Sequence, residues 1–160
     1  MRTRMKVGVA WCGVIAFAGA GLGGCGGGGG RLSAARYARE ASDICAAANH
    51  HLRRIQVPTL ASERSASRAV AHIVVIQRDS IDELRGLKPP DDLGSLNASW
   101  IALLDQGTDE LELVSVSLRS SKGHLAQNYA DNASILFDRA AVVVKSHGVT
   151  SCRGPSLELR

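Results

Sequence analysis

The chain has 160 residues, 45% of them hydrophobic but only 4% aromatic, with four cysteines and a formal charge of +4. That leaves room for one domain with one modest core of Leu, Val, Ile and Ala, a set that suits closely approaching helices. Arg2, Arg4 and Lys6 supply +3 of the charge with no acid before residue 25, so the remainder stands near +1. A near-neutral remainder argues against a basic patch for phosphates, and so against nucleic acid as a partner.

The first elements are read as a targeting segment. Arg2, Arg4 and Lys6 form a positive n-region, Val7 to Phe17 an apolar h-region, and Gly and Ala then lead into Leu22-Gly23-Gly24-Cys25. This is the order of a secretory signal peptide. An uncleaved helix is the alternative, since residues 7–24 are just long enough to span a bilayer, but several are Gly and Cys25 sits where processing needs it. Leu22 to Cys25 resembles the lipobox of bacterial lipoproteins. That resemblance implies loss of residues 1–24 and a diacylglyceryl group on the thiol of Cys25. Two acyl chains anchor stably where one is marginal, which implies a lipid-anchored protein on the extracytoplasmic side of the cell membrane. Residues 25–32, with Gly26 to Gly30, then form a flexible tether of roughly 15 Å end to end. Gly19 to Gly24 also matches G-x-G-x-x-G, but five more glycines follow where a dinucleotide site needs a helix to open.

Over 33–152 the periodicity predicts an all-α, antiparallel (up-down-up-down) four-helix bundle. Ser33 caps a first helix to about Gln56, with Ala34, Ala38, Ala41, Ile44/Cys45, Ala48, Leu52 and Ile55 inward; Pro58 ends it. A second, Ser62 to Leu87, turns Ala66, Val70, Ile73/Val74, Gln77, Ile81 and Leu84 to one face. After Lys88-Pro89-Pro90, Asp91 and Asp92 favour the positive end of a third helix. Its stripe is Leu93, Leu96, Trp100, Leu103/Leu104, Gly107, Leu111, Val114 and Leu118. Ser120 to Gly123 makes a turn. The fourth helix carries Leu125, Tyr129, Ala133, Leu136, Ala140, Val143/Val144 and His147, with Gly148 as its C′ residue. Residues 153–160 are expected to be a flexible tail.

With Cys12 in the signal and Cys25 lipidated, Cys45 and Cys152 remain, and an even pair in an exported chain reads as a disulfide. Cys45 lies about three turns, roughly 18 Å, into the first helix. Cys152 must therefore fold back along the bundle, or the first turns of that helix must project beyond it. A reactive redox pair is the competing reading, but there is no Cys-x-x-Cys and neither site is basic.

Chemistry is sparse. No Glu stands three residues before any of His50, His51, His72, His124 and His147, as a di-iron bundle requires. His50 and His51 end the first helix and His124 begins the fourth, so the bundle topology makes them weak candidates for zinc or copper; solvated helix-end histidines are the plainer reading. Trp100 and Tyr129 read as core, and Asp79, Asp82 and Glu83 as a solvated face. No nucleophile elbow, zinc-protease or P-loop pattern occurs. The layout as a whole resembles small lipoproteins of actinobacteria: lipobox, Gly-rich tether, helical bundle, one cysteine early and one past the last helix. That resemblance implies no reaction and no cofactor. The expected function is a non-catalytic envelope module that binds an unknown partner. The alternative is a sensor or carrier of a small ligand, either a metal at the end histidines or an apolar molecule between helices.

Overall fold

The computed structural model describes residues 30–57, 62–155, 157 and 159. The signal segment, Cys25 and Pro58 lie outside them. Among the described residues the protein is all-helical: α1 (Ala34–Leu52), α2 (Glu63–Gly86), α3 (Gly94–Arg119) and α4 (Gly123–Lys145), packed as a helical bundle. A single turn of 3-10 helix, Asp91–Leu93, leads into α3. None of the described helices is long and apolar enough to cross a membrane.

Local chemistry places the ends. The Ser33 hydroxyl accepts from the Arg36 amide at 3.4 Å, the side-chain cap expected for α1. The helix stops at Leu52, short of Gln56, in a run of tightened turns in which the Arg53, Arg54 and Ile55 amides reach back to Asn49, His51 and Leu52. Gly148, three residues beyond α4, has φ of 78° and takes the left-handed conformation that favours glycine.

Partner residues run in opposite senses along successive helices. On α2 and α3 they are Ser67 with Ser115, Arg78 with Asp109 and Glu112, and Arg85 with Asp105. Asn132 meets Glu110 and Phe137 meets Gly107 across α3 and α4. The start of α1 lies by the end of α2, where the Leu32 amide donates to Lys88 O at 2.9 Å and Arg31 pairs with Asp91 at 2.7 Å.

The α3–α4 seam is the most extensive, α2–α3 follows, and α1 packs thinly on α2. Small residues explain the first. Ala126, Ala130, Ala133 and Ala140 are buried along α4, so the two backbones approach closely. A Cβ on Gly107 would stand 2.8 Å from the Phe137 ring, so only glycine leaves room for that ring. The fourth stripe therefore differs from the one read from spacing. Leu125 is exposed, Tyr129 and Leu136 are half-buried, and the centre line is Ala126, Ala130, Ala133 and Phe137. On α1, Ala34 is exposed and Tyr37 buried instead. The α2 stripe agrees throughout, Gln77 included.

Two polar arrangements sit in the core. Ser67 and Ser115 each donate to the other's backbone carbonyl, at 2.8 and 3.0 Å, clasping α2 to α3. Thr108 donates to Leu104 O in its own helix. Trp100 is fully buried, and its Nε1 is the one buried side-chain polar atom without a partner among the described residues.

Candidate functional site

The surface around α1 holds the residues that sequence reasoning singled out. Cys45 and Cys152 meet at disulfide distance, their Cα atoms 4.9 Å apart and both side chains buried. The geometry is reached by folding back. After Gly148, which lies against the Ala38 methyl, the chain returns along the bundle: Asn49 Nδ2 donates to Ser151 O at 2.6 Å, Cys152 meets Cys45, and Gly154 packs on Phe137. The returning strand thus lies between α1 and α4, where a closed four-helix bundle would have a direct seam. Of residues 153–160, expected to be a flexible tail, 153–155, 157 and 159 are described. Leu159 is buried and Leu157 packs against the core. The reason is apolar area: a strand carrying Val149, Cys152, Leu157 and Leu159 removes more of it from water by covering the α1–α4 gap than by trailing free.

Beneath Cys152, between Gln77, Ile81 and Leu104, the bundle leaves only about 20 Å³, the scale of one water molecule. Two larger recesses open outward on either side of α1. One, about 280 Å³, has a floor of Ile44, Ala48 and Ile76 and a rim of His51, Asp79, Ser80 and Glu83. The other, about 340 Å³, lies between the end of α1, Ile73 and the returning strand, with Leu52, Ile55, Val57 and Leu157 as its apolar wall. Both exist because α1 touches α2 lightly and meets α4 largely through the strand.

His50, His51, His72 and His124 are exposed. His50 and His51 meet edge to face, ring centroids 5.8 Å apart. The fold does not gather His124 with them into a ligand set: among the described residues no group of three or more His, Cys, Asp or Glu could hold a metal ion. His147 is half-buried beside Ser146, whose hydroxyl meets its Nδ1 at 2.9 Å.

Tyr37, which spacing left out of the inward set, is the main buried tie of α1 to the bundle. Its hydroxyl donates to Asn97 Oδ1 near the start of α3, and burial pushes the phenol up to about 12. The signal for it was in the spacing: Tyr37 stands four residues before Ala41 and eight before Cys45, on the same helical stripe.

In the half of the bundle where α1 starts and α2 ends, Arg31 pairs with Asp91, Arg36 with Glu40, and Arg85 with Asp82 and Asp105. At mid-length Arg78 pairs with Asp109 and Glu112, whose hydrogen bonds raise its pKa further. Exposed cations that form no ion pair with a described residue stand at both ends: Arg39, Arg139 and Lys145 at the first, and Arg53, Arg54, Arg64, Arg68, Arg119 and Lys122 at the other, where Glu63 also lies in the first turn of α2. Net charge sums over the surface, whereas a partner meets one face of it.

No family model, curated protein or solved structure matches this chain.

Proposed function

We propose that the protein is a lipid-anchored, non-catalytic binding module of the cell envelope, working through the surface on either side of α1. The observation that carries the binding reading is the pair of outward-opening recesses, about 280 and 340 Å³, flanking the most lightly packed helix. Both have apolar floors with a few polar groups at the rim, the composition of recognition surfaces. The lipid anchor is supported by the positive n-region, the apolar run and the lipobox-like Leu22 to Cys25. The recesses lie along the second half of α1 and beyond its end, away from the end at which the Gly-rich segment joins it.

Site-specific photocrosslinking in native envelope fractions tests the binding reading. A photoreactive residue replacing Ala47, in the α1–α2 recess, is expected to give one discrete adduct. The same residue replacing Val142, 72% exposed on α4, is expected to give none. Equal labelling from both positions, or none from Ala47, overturns the assignment. The anchor is tested separately by intact mass of native material: retention of residues 1–24, or an unmodified Cys25, overturns it. The small recesses also suit a ligand of modest size, so an adduct with a non-protein mass at Ala47 selects the sensor or carrier reading.

A further inference from the structure

We propose that the recess between α1 and α2 is a site for a small primary amine in its ammonium form, carrying a short apolar chain. The proposal rests on the binding role given above to the surface beside α1 and names the ligand class of one of its two recesses. The rim of this recess is negative without compensation. Asp79 and Glu83 are exposed, stand four residues apart on one face of α2 and form no ion pair with a described residue. Like charges at that spacing repel. The arginines of the same stretch turn elsewhere: Arg78 pairs with Asp109 and Glu112, and Arg85 with Asp82 and Asp105. Across the recess, α1 has no Lys or Arg from Glu40 to Leu52. An external cation relieves the repulsion that the fold leaves in place.

A second observation, independent of net charge, is the direction of hydrogen bonding. The Ser80 hydroxyl also lines the recess and donates to Gln77 O at 2.9 Å, so its oxygen is left only to accept. Carboxylates accept as well. Asp79, Ser80 and Glu83 thus present acceptors with no donor among them, and His51 on the α1 side adds one accepting nitrogen in its neutral form. An ammonium, with three donors and no acceptor, is the complement of such a set. The floor of Ile44, Ala48 and Ile76 is apolar and suits a hydrocarbon chain behind that head group. A bare metal ion has no use for such a floor, and among the described residues no group of three or more His, Cys, Asp or Glu could hold one.

The dimensions favour a small guest. The lining runs from Ile44 to His51 on α1 and from Ile76 to Glu83 on α2, about 10 Å of each helix. The volume of about 280 Å³ falls just under the roughly 300 Å³ at which drug-sized sites begin. A protein partner would need a broad surround with an apolar centre. Among the described residues the exposed large hydrophobics are Val75 on α2 and Leu113, Val116, Leu125, Ile135 and Val142 on α3 and α4, with none on α1. The recess on the other side of α1 is lined by Arg53 and Arg153 instead, so an ammonium is drawn to one of the two and repelled from the other.

Amide NMR spectra of the full-length chain, titrated with hexylammonium, hexanol and hexanoate, test the proposal, because the three probes share one chain and differ in head group. The expected result is saturable binding of hexylammonium that moves the Ala47, Ala48, Ile76 and Ser80 resonances, with hexanol and hexanoate at least about tenfold weaker. Methylammonium, which lacks the chain, should also bind at least about tenfold more weakly. Asp79→Asn/Glu83→Gln should lower the hexylammonium affinity about tenfold. Asp92→Asn/Asp138→Asn, the same change in net charge elsewhere, should change it less than about twofold. Ala47→Leu keeps both acids but fills the recess, and should weaken binding about as much as the first variant. All five substituted positions are exposed, so these changes leave the core intact. Absent or non-saturable binding of hexylammonium, equal binding of hexanoate, equal losses from the two acid variants, or full affinity in Ala47→Leu each overturns the proposal. The last of these would mean attraction to surface charge without entry. If the titration fails while Ala47 still yields its crosslinked adduct in envelope fractions, the ligand class falls and the binding-module reading stands; loss of that adduct removes the reading itself.

Discussion

The α3–α4 pair and α1 all carry an apolar face, yet they are held in different ways. α3 and α4 meet through small residues: a line of buried alanines on one side and Gly107 opposite the Phe137 ring on the other. Their stability comes from close backbone approach and dense packing, which no single bond dominates. α1 offers alanines too, but it faces a neighbour across a thin seam, and its buried ties are discrete: Tyr37 to Asn97, Asn49 to Ser151, and Cys45 to Cys152. The comparison teaches that equal hydrophobic spacing yields a continuous core only where the opposing surface is complementary. Where it is not, the chain relies on a cross-link and a returning strand.

The sharpest break of this comparison is removal of the cross-link. Cys45→Ser/Cys152→Ser frees a segment of 107 residues' sequence separation, and loss of such a bond costs about 2–5 kcal/mol. Hydrogen exchange should show protection falling mainly in α1 and in residues 149–155, with the centre of α3 least affected. Uniform loss across α1, α3 and α4 would mean that α1 is as deeply integrated as the rest. Free-thiol labelling of non-reduced protein provides the companion measurement, and modification of both cysteines would remove the bond from the account.

A second, smaller effect is expected from crowding the tight seam. Gly107→Ala places a methyl 2.8 Å from the Phe137 ring, against which Gly154 also packs. Denaturant unfolding should register about 1–3 kcal/mol of lost stability. The outward-facing Gly86→Ala, where nothing lies within 4 Å, should instead be neutral or slightly stabilising. Comparable losses at both positions would deny the seam its special tightness.

The smallest effect sharpens the α1 side through pH. The Tyr37 phenol is raised to about 12 by burial, above its ordinary value near 10 in the unfolded chain. The folded state therefore retains the proton that the unfolded state releases between those values. Stability from this group is complete below about pH 10 and is lost as pH rises through about 12. Tyr37→Phe should cost about 1 kcal/mol at neutral pH through the lost hydrogen bond to Asn97 and should flatten the decline of stability over that alkaline window. Denaturant midpoints of both proteins between pH 9 and about 12 measure it, and parallel declines would show that Tyr37 is not the group responsible.

Much of the fold was legible because its code is local. Ser33, the Lys88-Pro89-Pro90 break and Gly148 marked helix ends through capping, the missing amide of proline and the left-handed preference of glycine. The stripes of α2 and α3 emerged from spacing, since large aliphatics stand on one face of each. The α4 stripe slipped because its true centre line is alanine, which carries little hydrophobic signal beside Leu125 and Tyr129. Periodicity weighs side-chain size, whereas a close helix seam selects for smallness. The cysteine pairing was readable by elimination, but the recesses beside α1 and the pairing of charges between helices were not. Both depend on which residues distant in the chain are brought to one surface.

By itself, then, the sequence determined the helical class, the positions of most helix ends, the inward face of α2 and the identity of the two cysteines that meet. These follow from spacing, capping and composition within a few turns of chain. Only the tertiary structure decided that the segment after α4 returns to meet α1 at Cys45, that Gly107 and Gly154 both lie against Phe137, and that Arg78 and Arg85 pair with acids on a neighbouring helix. Those outcomes depend on the relative placement of whole helices, where packing volume and the sum of charges over a face prevail over any local preference.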